Sequence, residues 1–100
     1  MLVSSLRERD IEKRLVKEVK SSGGLALKFV SPGLDGVPDR IVLLPEGHIS
    51  FIELKAPGKR MRPLQEKRKR QLEALGFPVY CIDGIDEINE ILLKIGGDAR

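Results

Sequence analysis

The stretch GVPDRIVLLPEGHISFIELK, residues 36–55, allows few folds. Two runs rich in Ile, Val, Leu and Phe, residues 40–44 and 49–55, flank Pro45-Glu46-Gly47, the composition of an antiparallel β-hairpin. Side chains alternate across a strand, so Phe51, Glu53 and Lys55 share one face while Ile52 and Leu54 take the other. Pairing Leu43 with Ile49 across a five-residue loop sets Ile41 opposite Phe51 and Asp39 opposite Glu53. Two carboxylates then meet at the end of the hairpin away from its turn.

Around the hairpin the spacing predicts further elements. Ser5 followed by Glu8 has the form of a capping box, and Ile11, Leu15 and Val19 recur at helical spacing until SSGG, predicting a helix over residues 5–20. Residues 25–30 (LALKFV) have strand length and end at the Gly- and Pro-rich SPGLDG loop. Pro63 suits a first helical turn, with Leu64, Arg68, Leu72 and Leu75 as one stripe, so a second helix is expected over residues 63–75. A short strand at residues 79–82 and an amphipathic helix marked by Ile85, Ile88, Leu92 and Ile95 complete an α-β-β-β-α-β-α order. This is an α/β arrangement, a mixed central sheet flanked by helices, with the last strand parallel to a neighbour.

The 100 residues suit one domain over residues 1–100, with 96–100 as a flexible tail. No apolar run has the length of a membrane span, and the first residues turn charged too early for a secretory signal, so a cytoplasmic protein is expected. The lone Cys81 lies in the apolar run VYCI, where a small buried hydrophobe is expected. His48 is placed in the hairpin turn, remote from Asp39.

Charge is unevenly distributed. Residues 59–70 (KRMRPLQEKRKR) carry seven Lys or Arg against one Glu, while the chain as a whole is only +3. Such a block marks either a polyanion-binding surface, usually for nucleic acid, or a solvated helix face.

Opposed carboxylates repel and ionise poorly together unless a cation lies between them. A hard divalent ion, Mg²⁺ or Mn²⁺, accepts two carboxylates together with water and a phosphate oxygen. Lys55 is a movable point charge that can orient an attacking water and neutralise a phosphate oxygen. Metal-assisted phosphodiester hydrolysis needs this set. On spacing alone an alternative stands, in which Glu53 and Lys55 form a sheet-edge ion pair and Asp39 follows a proline turn.

GVPD followed by IELK closely resembles the PD-(D/E)XK nuclease superfamily, with Pro38-Asp39 as the PD and Glu53-Leu54-Lys55 as the ExK. More narrowly, SPGLDGVPDRIVLL, FIELKAP, PLQ and LGFPVYCID together look like the VRR-NUC group, the virus-type replication-repair nucleases. The resemblance spans nearly the whole chain and implies a restriction-endonuclease-like αβββαβ core. It implies metal ligation by Asp39, Glu53 and the backbone carbonyl of Leu54, with Lys55 as the catalytic lysine. Glu12 matches an acidic residue placed near the metal, and Gln65 a glutamine beside the site. Ser31 and Gly33 sit where the family places a loop close to the active site, although ordinary turn chemistry would account for them equally. Lys59, Arg60, Arg62, Lys67, Arg68, Lys69 and Arg70 would hold DNA phosphates without reading base sequence. Asp35 would repel DNA and is not counted as a ligand.

Stand-alone members of the viral and bacterial type resemble Holliday-junction resolvases and act as homodimers. The resemblance therefore implies a dimeric, structure-selective DNA endonuclease working on branched DNA in a bacterial or phage-infected cell. A flap- or end-directed nuclease of the same fold shares the metal site. Two readings from other classes are a catalytically silent DNA-binding module and an interaction domain whose acids form salt pairs.

Overall fold

The hairpin forms in the expected register. In the computed structural model, which describes residues 6–96, Leu43 pairs with Ile49 and Ile41 with Phe51, which sets Asp39 beside Glu53 just beyond the final pair of strand residues, Arg40 and Ile52. One further pair, Leu44 with His48, shortens the connection to Pro45–Gly47, where Glu46 (φ 71°) and Gly47 (φ 80°) adopt left-handed backbone. His48 therefore opens a strand and is half-buried instead of occupying the turn.

The elements in chain order are α1 (Glu8–Ser21), β1 (Leu25–Lys28), β2 (Arg40–Leu44), β3 (His48–Leu54), α2 (Pro63–Ala74), β4 (Val79–Ile82) and α3 (Ile88–Ile95). The sheet order is β1-β2-β3-β4, antiparallel except that β4 runs parallel to β3, as one crossover through α2 requires. This is the α/β fold expected from the sequence.

Several boundaries differ from expectation. The α1 helix starts at Glu8, where the Asp10 carboxylate accepts the Arg7 N–H at 2.9 Å and supplies the cap; Ser5 and the tail beyond Gly96 lie outside the described residues. The β1 strand stops at Lys28, with one last bond from Phe29 N–H to the Asp39 carbonyl at 2.9 Å before the loop turns away. A 3-10 turn at Ile85–Glu87 precedes α3.

One sheet face carries the core. Val42, Leu44, Ile52, Leu54 and Ile82 pack against Ile11, Leu15 and Val19 of α1 and Ile88, Ile91, Leu92 and Ile95 of α3. Each such buried aliphatic side chain is worth about 1.5–3 kcal/mol relative to exposure. The opposite face is only partly covered. The expected apolar stripe of α2 is not buried: Leu64 is 41% and Leu75 72% exposed, and Gln65 is the helix's buried residue. With its apolar positions interrupted by Lys and Arg, α2 docks by its first turn, leaving Leu25 and Leu27 of β1 exposed. Among the described residues no helix is long and apolar enough to cross a membrane.

Candidate active site

The uncovered end of the sheet, between the first turns of α1 and α2, holds the acidic residues. The β3 strand is central and buried on both faces from Ser50 to Leu54, so period-two alternation delivers Glu53 into the protein interior, 1% exposed. Its neighbours on that face are Phe51 and the edge-strand Cys81.

The two oxygens of Glu53 have different fates. Oε2 accepts Gln65 Nε2 at 2.6 Å and lies 3.3 Å from Lys55 Nζ. Oε1 is buried with no hydrogen-bond partner. Gln65 is itself oriented, because its Oε1 accepts the Arg62 N–H at 2.8 Å as the cap of α2. The helix start thus fixes which end of the amide meets the carboxylate.

Asp39 is held from the backbone of the facing strand. Its Oδ2 accepts the Leu54 N–H at 2.8 Å. In a strand the N–H and C=O of one residue point to the same side, so the Leu54 carbonyl is directed toward Asp39 as well. The next amide, Lys55 N–H, turns the other way and donates to the Ile82 carbonyl at 2.9 Å. Lys55 follows β3 by one residue and is 12% exposed at its side chain, a cation at the rim of the site.

Electrostatics follow from this crowding. Burial, then the neighbouring Asp39 charge, push the Glu53 carboxyl up to about 7, with Lys55 opposing. Burial also raises Asp39 above its usual range, and Glu12 adds to the rise against the Leu54 N–H and Lys55. Two carboxylates resisting ionisation, one with an orphaned buried oxygen, form a donor set that a hard cation satisfies. Among the described residues no three His, Cys, Asp or Glu side chains converge as a metal cage. Asp39, Glu53 Oε1 and the Leu54 carbonyl are the groups that could hold such an ion, and so few protein ligands would suit one that keeps several waters.

The structure brings the other expected residues to the site unequally. Glu12 lies close enough to influence Asp39, but its carboxylate is engaged by Arg40 Nε at 2.8 Å, and Arg40 also donates to the Ala26 carbonyl at 3.0 Å. Sequence reasoning missed Glu8, one helical turn earlier on the same side of α1. Burial and then the Asp39 charge raise its carboxyl, so it lies within electrostatic reach of the acids. The i,i+4 spacing of Glu8 and Glu12 was the available signal, obscured by reading Glu8 as a cap. Cys81 is half-buried rather than a core residue, and burial followed by the Glu53 charge pushes its thiol up to about 11, so it stays protonated.

The loop of residues 31–38 is pinned on α2. Arg68 Nε donates to the Asp35 carbonyl at 2.6 Å, and Gly36, at φ 84°, lies so close to Leu64 that a Cβ would come within 2.8 Å of its Cγ. Ser31 closes a turn by accepting the Leu34 N–H at 3.1 Å, and Gly33 is open, with nothing within 4 Å of a would-be Cβ. Of the basic block, Arg68 and Lys69 are occupied, the latter by Glu73 at 3.0 Å, whereas Lys59, Arg60, Arg62, Lys67 and Arg70 are exposed.

No family model matches the chain. Over 81 residues it is 53% identical to "Putative nuclease p44" of Acyrthosiphon pisum secondary endosymbiont phage 1, covering 81% of this chain and 87% of that protein. A solved structure described as a VRR_NUC domain superposes with a TM-score of 0.80 at 26% identity, covering 85% of this chain and 92% of that one.

Proposed function

Because the chain belongs to the VRR-NUC nuclease family, we propose that it is a Mg²⁺- or Mn²⁺-dependent deoxyribonuclease that hydrolyses phosphodiester bonds. The observation that carries this reading is the orphaned, buried Glu53 Oε1 beside Asp39, with Oε2 already committed to Gln65 and Lys55. A divalent cation held there supplies Lewis-acid stabilisation of charge on the phosphoryl group. Gln65 and Lys55 hold the Glu53 carboxylate by Oε2, which leaves the buried Oε1 free to ligate. Asp39 is kept in place by the Leu54 amide. The Lys55 ammonium is positioned to orient the attacking water and to neutralise a non-bridging phosphate oxygen. Water adds to phosphorus, the P–O3′ bond breaks, and the departing O3′ takes up a proton, leaving the 5′-phosphate that the family chemistry implies.

The reading extends to a homodimer resolving branched DNA in the cytoplasm. Supporting the dimer is the uncovered apolar half of the sheet, where Leu25 is 60% and Leu27 43% exposed. A twofold axis would present two sites to two arms of a junction without base contacts. The test is cleavage of a labelled four-way junction beside a linear duplex of the same sequence, with Mg²⁺, with Mn²⁺ and with chelator. Paired metal-dependent cuts near the branch point are expected, and Lys55→Ala should abolish them while junction binding survives. Undiminished turnover in Lys55→Ala would refute the catalytic assignment. Binding without cutting by the native protein would make it a silent module.

A further inference from the structure

The basic block in and just before α2 would supply phosphate contacts on one side of the sheet only; α1 packs on the other. There a cavity of about 330 Å³ opens beside the acidic site, lined by Arg9, Glu12, Lys13, Val16 and Arg40. Its charges are uneven: three cations face one carboxylate, and that carboxylate is already bonded to Arg40. The cations of α1 are not equivalent. Arg7 is paired with Asp10 and Arg14 with Glu18, whereas Arg9, Lys13, Lys17 and Lys20 are exposed and form no ion pair among the described residues, and of these four only Arg9 and Lys13 line the cavity. Arg9 and Lys13 are four residues apart and so project together. Lys28 pairs with Arg40 across β1 and β2 and shares its face, extending the positive surface.

Arg40 directly follows Asp39 in the chain, so this pocket adjoins the acidic site from the side opposite α2. We infer that the α1 pocket of Arg9, Lys13 and Arg40 is a second backbone-phosphate site, holding a polynucleotide strand on the far side of the cut from the α2 block. The inference rests on the nuclease reading for its ligand class and on the cavity and its unpaired cations for its place. Arg40 has a double task in it. Its Nε and Nη1 bonds to Glu12 and Ala26 fix the guanidinium plane, leaving the other terminal nitrogen for a phosphate oxygen. A strand crossing the end of the sheet would then meet α1 cations, acidic site and α2 cations in succession.

The test is fluorescence anisotropy on a labelled four-way junction and a linear duplex, in chelator, across a salt series. Arg9→Gln/Lys13→Gln is compared with Lys17→Gln/Lys20→Gln, which removes the same charge from the same helix outside the pocket. With two phosphates no longer neutralised, the slope of log affinity against log salt should become shallower by about 1–2, against little change in the control pair. Affinity near physiological salt should fall roughly tenfold or more in the pocket variant and less than about twofold in the control. Equal behaviour of the two double variants overturns the α1 site while leaving the nuclease reading standing. Failure of the native protein to bind either DNA would overturn both.

Discussion

Glu53→Gln should make the metal-free protein more stable at neutral and alkaline pH, because the native carboxylate is buried where its charge is unwelcome. Glu53 is 1% exposed, and burial together with Asp39 raises its carboxyl from 4.5 to about 7. Between these values the folded chain keeps a proton that the unfolded chain has released. Native stability therefore falls as pH rises through this window and stays reduced above it. The interval is worth about 3 kcal/mol, an upper figure because water and side-chain relaxation soften it. Glutamine keeps the shape, and its oxygen can still accept the Gln65 amide, so the substitution removes the charge with little change in packing. Urea unfolding in chelator at pH 4 and pH 8 should show the two proteins alike in acid and the variant ahead by roughly 2–3 kcal/mol in base, or about 10 °C or more in Tm. Adding Mn²⁺ should reverse the order, since the proposed metal site needs the Glu53 carboxylate that the variant lacks. Parallel pH profiles for native and variant protein would refute the argument that Glu53 is strained by its own ionisation.

Gln65→Leu removes both the 2.6 Å bond to Glu53 and the cap on Arg62, and a buried charged acceptor losing its donor costs about 1–3 kcal/mol. The Glu53 carboxyl should rise further, so calorimetric Mn²⁺ titrations at a series of pH values should shift to higher pH; an unchanged pH dependence would count against Gln65 as the residue that orients Glu53. Gly36→Ala places a Cβ within 3.0 Å of the Leu64 carbonyl oxygen at φ 84°, and should lose about 1–3 kcal/mol in chemical denaturation. A variant with native stability would show that the loop is not held against α2.

Much of the hairpin was legible because its information is local. Period-two alternation and the Pro45-Glu46-Gly47 turn set one register, and that register alone puts Asp39 against Glu53. Element order followed from spacing and from Gly and Pro punctuation. The α2 stripe was misread because helical spacing shows that a face exists but not that a sheet lies beneath it; Leu64 and Leu75 have the spacing and remain exposed.

What the sequence by itself determined is the local repeat: strands, helices, and a pair of acids opposed across one hairpin. Only the tertiary structure decided the commitments of individual atoms. It gave Glu53 Oε2 to a glutamine on another element and left Oε1 alone, gave Glu12 to Arg40, and set Glu8 within electrostatic reach of Asp39. Backbone periodicity is a property of neighbouring residues, whereas a hydrogen bond between α2 and β3, or between α1 and β2, depends on how separately formed elements dock.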